Sequence, residues 1–368
     1  MKYIGIDVHK KICVACIKDE GGTTLTEIKF SNNKEGFNHL FSVVGGTEAR
    51  AVMESTGNYW LQLYDALEAQ GIEVILANPR KTRVIAESNL KTDSVDAAML
   101  ADLLRADLIA PCYVPPPEIR DIRALIRERM SLKKECTRVK NRIHSLLAKH
   151  ELPPFPGSDL FGKKGLQWLE DQKKHLSSVN WILLEMELIQ LKTLGELIEK
   201  INGDIAVIAQ QTEEVSLLMT ITGVDYYTAL LFTSEIGDIH RFSSSSKLSS
   251  WIGLVPRVHQ SADTYYHGRI TKQGSPLVRW ALVQAAQVAV RWDSHWREVY
   301  ERISSHAGKK KAIVAIARKL AVTMYCMLTR KEPYRYCNEE TYRRKVKKLE
   351  RIINTTPKNR GEIVMLSS

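Results

Sequence analysis

The sequence predicts an α/β unit followed by an all-α region, and three observations carry that prediction. Short β-rich runs alternate with helical patterns through residues 1 to 110. A proline run, Pro115-Pro116-Pro117, then ends the alternation. Beyond it, from Glu118 to His150, apolar residues recur at heptad spacing in a strongly charged stretch, the pattern of a long helix with a coiled-coil seam.

Taken in order, strands are expected at Tyr3–Val8, Ile12–Lys18 and Thr24–Phe30, with Gly21-Gly22 turning the hairpin between the second and third. A helix follows at Lys34–Val44, then a strand at Arg50–Met53. Next come a helix at Asn58–Gln70 stopped by Gly71, a strand at Glu73–Leu76 and a helix at Ser94–Arg105. This order matches a ribonuclease-H-like (RuvC-like) domain, in which acids from the first and fourth strands meet acids from a late helix. Asp7 ends the first strand and Glu54 closes the fourth. Asp93 and Asp96 stand three apart, on one face of the late helix. Singly, each acid also reads as a cap, a turn or a surface group, and Thr92-Asp93 would suit a helix start. Four carboxylates gathered at one point repel one another unless divalent cations lie between them. An all-oxygen set suits a hard divalent ion such as Mg2+.

The long helix carries Ile122, Cys136 and Ile143 at one heptad position, with Arg129 the exception, and Leu125, Leu132, Val139 and Leu146 at the other. Its outer face is rich in base, including Arg120, Arg123, Arg127, Lys133 and Lys134. Acids interleave, so a solvated face is one reading; the excess of base favours contact with a nucleic-acid backbone. A second helix, Trp181 to Ile201, bears Trp181, Leu184, Leu188, Leu191 and Ile198 on one stripe. The two helices suit either an antiparallel hairpin or pairing between subunits. From Thr212 the run Leu217–Val224, Gly223 included, leads into Tyr227–Ile236, a helix-hairpin-helix-like element able to offer backbone amides to a phosphate. A short helix at Leu248–Leu254, a helix from Pro276, Lys309-Lys310-Lys311 and a basic tail from Tyr342 to Arg360 complete the chain, the tail expected to be exposed and partly disordered.

Composition is that of an ordinary globular protein, 44% hydrophobic and 26% charged, and the net charge of +11 favours polyanionic partners such as nucleic acid. Asp7 and His9 interrupt the early apolar run, so no signal peptide is expected, and Arg318 and Lys319 interrupt the apolar segment 312–328, so no membrane span is expected there. Cys13 and Cys16 have the C-x-x-C spacing of zinc or redox sites, but residues three apart on a strand face opposite sides, so both read as core cysteines of a reduced, cytoplasmic protein.

The two ends of the chain together resemble the DEDD-type insertion-sequence recombinases, the IS110 group of bacterial transposases that includes the Piv/MooV DNA invertases. The matching pieces at the front are Gly5-Ile6-Asp7-Val8-His9-Lys10, Met53-Glu54-Ser55-Thr56-Gly57 and Lys91-Thr92-Asp93-Ser94-Val95-Asp96-Ala97. Those at the back are Ile221-Thr222-Gly223-Val224, Glu235-Ile236-Gly237-Asp238, Gly253-Leu254-Val255-Pro256 and Gly268-Arg269-Ile270-Thr271-Lys272-Gln273-Gly274. The resemblance implies a RuvC-like nuclease domain at 1–112 and a coiled-coil oligomerisation domain at 113–211. It further implies a transposase domain with a nucleophilic serine at 212–308, followed here by a basic helical extension at 309–368. It implies a homo-oligomer, dimer or tetramer, and a structured non-coding bridge RNA pairing with donor and target DNA. The action would be on the bacterial nucleoid.

The family's serine follows the Gly-Leu-Val-Pro piece and is usually followed by glycine; here Ser261 is followed by Ala262, and Ser275 is the second candidate. A serine hydroxyl needs activation by a base or metal, and the expected scheme has it attack a metal-polarised phosphate, in a site assembled between domains, and hold the DNA end as a phosphoserine. Conserving the bond energy in this way fits the absence of a G-x-x-x-x-G-K-S/T loop. Arg257, Arg269 and Lys272 flank the serine as phosphate contacts or as solvated charges. Two other readings use the same residues: a Holliday-junction-type nuclease with water as nucleophile, and a nucleic-acid-binding protein without metal.

Overall fold

The computed structural model describes every residue except Thr47, Thr56, Arg80, 83–91, 262–263 and 357–368. The side chains of His259, Gln260, Ser261, Thr264, Tyr265 and His267 are likewise outside the described residues. The chain forms two compact units, Met1–Pro115 and Pro116 onward.

The first unit is a mixed α/β layer. Strands β1 (Lys2–Val8), β2 (Ile12–Lys18), β3 (Thr24–Ser31), β4 (Ala49–Glu54), β5 (Glu73–Ala77) and β6 (Pro111–Cys112) form one sheet in the order β3-β2-β1-β4-β5-β6. β1 runs antiparallel to β2 and parallel to β4, so the C-terminal ends of β1 and β4 lie side by side. Alternation along β1 sends Ile4, Ile6 and Val8 to one face, where they pack with Phe37 and Leu40 of α1 (Lys34–Val44) and Leu63 and Leu67 of α2 (Leu61–Ala69). The other face receives α3 (Asp93–Arg105), whose Leu100 and Leu104 pack on Val52 and whose Ala97 packs on Val14 and Cys16.

Gly5 sets the closeness of that approach: a Cβ there would lie 2.0 Å from the Ala97 carbonyl oxygen and 2.4 Å from the Ala101 amide nitrogen. The same helix is pinned at its far end by Lys18, whose ammonium donates to Asp102 at 2.5 Å. Cys13 and Cys16 are both buried, on opposite sides of β2, as core cysteines.

The second unit is helical apart from one hairpin. Its helices are α4 (Pro117–Leu147), α5 (Lys163–Asp171), α6 (Ser178–Gln211), α7 (Glu213–Leu218), α8 (Tyr226–Ile236), α9 (Ser245–Ile252), α10 (Pro276–Trp292), α11 (Ser294–Ala307), α12 (Lys309–Arg330) and α13 (Glu339–Thr355); strands β7 (Pro256–Ser261) and β8 (Thr264–Ile270) pair antiparallel. α4 and α6 fold back on each other within the chain. Val139 and Ile143 share a core with Leu184. Arg142 donates to Glu187 at 2.7 Å, and Arg129 reaches Asn202 at 2.6 Å. The buried side of the first half of α4 is Ile122, Ile126 and Met130, against Ile201 and Ile205 and the helices of the main core. The heptad reading placed Leu125 and Leu132 there instead; both are only half-buried. A helix packed on several neighbours buries every fourth residue, whereas a two-helix seam averages 3.5.

α12 is the one helix among the described residues long and apolar enough to cross a membrane. Here it is a core helix, with Ile316, Ala317, Leu320, Ala321 and Met324 fully buried. Of the basic tail, residues 342–356 are described: they lie on α13 and just beyond it, largely at the surface, with Leu349 buried. Lys345 of that helix is drawn inward, its ammonium donating to the carbonyls of Met219 at 2.8 Å and Ile221 at 2.6 Å, and burial lowers its pKa to about 8. The helix-hairpin-helix-like turn is thus held from behind. Its second helix is capped by Asp225, which accepts from the Thr228 amide at 2.8 Å.

Candidate active site

Within the first unit, sheet register brings the acids into one neighbourhood. Gly5 pairs with Val52 and Ile6 with Met53, so the next positions, Asp7 and Glu54, end adjacent parallel strands on the face that α3 covers. α3 begins with Asp93, N-capped by the Thr92 hydroxyl, and carries Asp96 in its first turn. His9, just past β1, stands between them: its Nε2 lies 3.1 Å from an Asp7 carboxylate oxygen and 3.4 Å from one of Asp93. The ligand atoms of Asp7, His9 and Asp93 all lie within 4.8 Å of one another. That is the spacing of groups sharing one cation, about twice a metal–oxygen bond of ~2.3 Å. The two carboxylates suit a hard divalent ion, and the His9 nitrogen stands within the same reach. Burial pushes the Asp7 carboxyl's pKa up; His9 opposes the shift, and the charges of Asp93 and Asp96 add to it. Asp96 is thus within electrostatic reach of Asp7, and Glu54 is half-buried at its strand end.

Beside the acids is an open hollow of about 550 Å³ lined by Lys10, Lys11, Lys29 and the exposed Tyr59 together with His9 and Asp93. Three ammonium groups next to a cluster of carboxylates suit a substrate that is itself a polyanion.

In the second unit the β7–β8 hairpin carries Ser261 at its distal end, paired in register with Thr264. Ser261's side chain and Ala262 lie outside the described residues. The base of the hairpin is built with little slack. A Cβ on Gly253 would lie 2.4 Å from the Gln273 backbone, and one on Gly274 would lie 2.0 Å from the Trp251 carbonyl. Arg279, entering from α10, donates from one nitrogen to the carbonyls of Ile252 at 2.8 Å and Gly274 at 3.1 Å, and to that of Gln273. Arg257, Arg269 and Lys272 are exposed around this base, Lys272 in a left-handed conformation. Ser275 caps α10 by accepting from the Val278 amide, and it lines a hollow of about 540 Å³ with Arg123, Arg127, Lys134 and Trp251.

The arginines of α4 have internal partners. Arg123 donates to the carbonyls of Ser234 at 2.5 Å and Glu235 at 2.7 Å, closing the last turn of α8. Arg127 makes a two-point contact with the buried Glu235 carboxylate, at 2.9 and 3.1 Å. Arg120 is half-buried, whereas Lys133 and Lys134 are exposed.

Comparison with known proteins matches both units. Residues 4–151 fit the DEDD transposase model of the IS110 type, and residues 215–301 fit the model described as the transposase IS116/IS110/IS902 family. The chain belongs to this transposase family. A Coxiella burnetii transposase for insertion sequence element IS1111A is 28% identical over 344 residues, 91% of this chain and 92% of the relative. The pilin gene-inverting protein of Moraxella bovis is 26% identical, over 90% of this chain and 97% of that one. A Leptospira borgpetersenii transposase for element IS1533 is 25% identical over the same shares.

Family membership makes this transposase a DNA-cleaving and rejoining enzyme of insertion sequences. Two of its residues escape a reading of the sequence alone. His9 has a visible signal, two positions after Asp7, but a lone histidine in a turn has many uses. Arg279 has a stronger one, since it interrupts the apolar run Leu277-Val278-Arg279-Trp280-Ala281-Leu282. Its targets, three carbonyls from two earlier segments, become visible only in the folded transposase.

Proposed function

We propose that this transposase moves its element by cutting and rejoining DNA through a covalent phosphoserine at Ser261, on a phosphate held at Asp7, Glu54, Asp93 and Asp96. The observation that carries the reading is the gathering of Asp7 and Asp93, with Asp96 in electrostatic reach, where β1 runs out under α3. The strand order β3-β2-β1-β4-β5 with acids at the ends of β1 and β4 supports a ribonuclease-H-like, RuvC-like identity for this unit. The four acids would hold Mg2+, as a pair of ions. Bound there, Mg2+ would supply positive charge to the attacking and leaving oxygens.

The Ser261 oxygen forms a bond to phosphorus while the bond to one DNA oxygen breaks, that oxygen leaving as a hydroxyl once it takes the serine's proton. A hydroxyl on the partner DNA strand then attacks the phosphoserine and frees the serine, so the number of phosphodiester bonds is unchanged and no nucleotide is consumed. The Moraxella relatives, named for inverting a gene, fit a reaction that returns every cut end to a joined one. Arg257, Arg269 and Lys272 hold phosphates around the hairpin. Lys133 and Lys134 form a backbone-binding flank on α4, with the half-buried Arg120 on the same helix, whereas Arg123 and Arg127 hold the end of α8.

The element's bridge RNA directs the choice of donor and target. The enzyme works as a homo-oligomer in the bacterial cytoplasm: α6 exposes Val179, Ile182, Leu183, Met186 and Ile189, an apolar stripe suited to a second copy. The division of labour is nuclease (1–112), coiled coil (113–211), serine-bearing domain (212–308) and basic extension (309–368).

The test is denaturing electrophoresis of the enzyme on labelled element-end DNA. Wild type is expected to form a protein–DNA adduct with divalent metal, Ser261→Ala to bind DNA without forming it, and Asp7→Asn to lose metal-dependent cleavage. An adduct that persists in Ser261→Ala moves the role to Ser275 or elsewhere. Hydrolysed, unlinked ends from wild type make the enzyme a junction-type nuclease instead.

A further inference from the structure

We propose that His9 is itself a metal ligand, so that the first-unit site is a mixed nitrogen–oxygen site and favours a first-row transition ion such as Mn2+ over Mg2+ more than four carboxylates alone would. The inference rests on the metal reading above and adds to it the identity of one ligand. Neighbouring ligands of an octahedral ion with bonds of ~2.1 Å lie about 3 Å apart. The Nε2 of His9 stands 3.1 Å from the Asp7 oxygen and 3.4 Å from the Asp93 oxygen, which are the separations of atoms on one edge of such an octahedron. With the Asp7 and Asp93 oxygens inside 4.8 Å of each other and of the ring nitrogen, the three atoms are near enough to one another to share one ion.

The ring is held there by its backbone. The His9 amide donates to Ile12 O at 3.2 Å, and the His9 carbonyl accepts from Asn32 Nδ2 at 2.9 Å, the same side chain that donates to Tyr59 O at 3.1 Å. A turn fixed on both sides presents the imidazole with little ordering left to do. The ring is about half exposed (55%), so it can exchange a carboxylate hydrogen bond for a metal without unpacking anything. Imidazole is a softer donor than carboxylate or water and lends affinity for transition ions over Mg2+.

The experiment uses the full-length protein loaded with one equivalent of Mn2+, read by electron spin-echo envelope modulation alongside calorimetric titration with Mn2+ and Mg2+. Wild type is expected to show directly coordinated ¹⁴N coupling that changes to the ¹⁵N pattern on histidine labelling. His9→Ala should lose that coupling, still bind through the acids, and lose about tenfold in Mn2+ affinity with a smaller loss for Mg2+. Asp7→Asn should lose specific binding of both. Mn2+ bound in wild type, removed by Asp7→Asn but with no nitrogen coupling, overturns the histidine ligand and leaves the carboxylate site intact. No specific binding in wild type overturns both the ligand and the metal reading beneath it.

Discussion

Gly5 decides how near α3 can come to β1, and replacing it with alanine tests whether that distance sets the site. The new Cβ would stand 2.0 Å from the Ala97 carbonyl and 2.4 Å from the Ala101 amide, where ordinary contact begins at 3.4 Å. Both neighbours are backbone and cannot rotate away, so α3 must retreat by more than an ångström. Asp93 lies one turn before Ala97 on the same helix and retreats with it, away from Asp7. Overpacking of this kind costs about 1–3 kcal/mol, which lowers the melting temperature of a unit of this size by roughly 4–12 °C. A misplacement of about 1 Å at a reacting centre costs on the order of 10²-fold in rate. Gly5→Ala is therefore expected to bind divalent metal at least tenfold more weakly by calorimetry and to cut DNA about a hundredfold more slowly. Gly46→Ala, where a Cβ meets nothing within 4 Å, serves as the neutral control. If Gly5→Ala melts, binds metal and cuts like wild type, the argument that this glycine gauges the site is wrong.

Three further outcomes follow from other contacts. Burial raises the Asp7 pKa above its ordinary 3.8. The native chain then holds that proton more tightly than the unfolded one, and the associated stability is full below 3.8 and is lost as pH rises through the native pKa. In chelator at neutral pH, Asp7→Asn should melt above wild type, and added Mg2+ should raise only the wild type; a variant melting lower in chelator contradicts this. Arg127→Ala strands the buried Glu235 carboxylate and should cost about 1.5–3 kcal/mol in urea unfolding, while Lys134→Ala, an exposed charge, should cost under about 0.5 kcal/mol. Arg279→Lys keeps the charge but cannot reach three carbonyls in the same way. It should speed limited proteolysis within β7–β8 and slow adduct formation, and an unchanged cleavage pattern would show that the clamp is dispensable.

Local signals made much of the first unit legible. Ile12–Lys18 and Lys34–Val44 fall where expected because alternation marks the strand and Asn33 caps the helix, its side chain accepting from the Gly36 amide. α2 starts three residues later than its apolar pattern suggests, since Trp60 turns back to donate to the Gly57 carbonyl. The placement of Asp7 and Glu54 at strand ends and of Asp93 and Asp96 in the first turn of α3 is legible because strand ends and helix starts are themselves legible. The uses of Arg123 and Arg127 are not: on the sequence they are surface charge, and only the fold shows that α8 ends against them with a buried Glu235. Arg279 is hidden for the same reason, since its partners come from distant turns.

The inward reach of Lys345 makes the last helix a keystone rather than a trailing arm. Shortening the enzyme from this end would have a cost, since removing α13 leaves the Met219 and Ile221 carbonyls of the turn before α8 without the ammonium they bond. Cargo proteins should be joined beyond α13, never in its place.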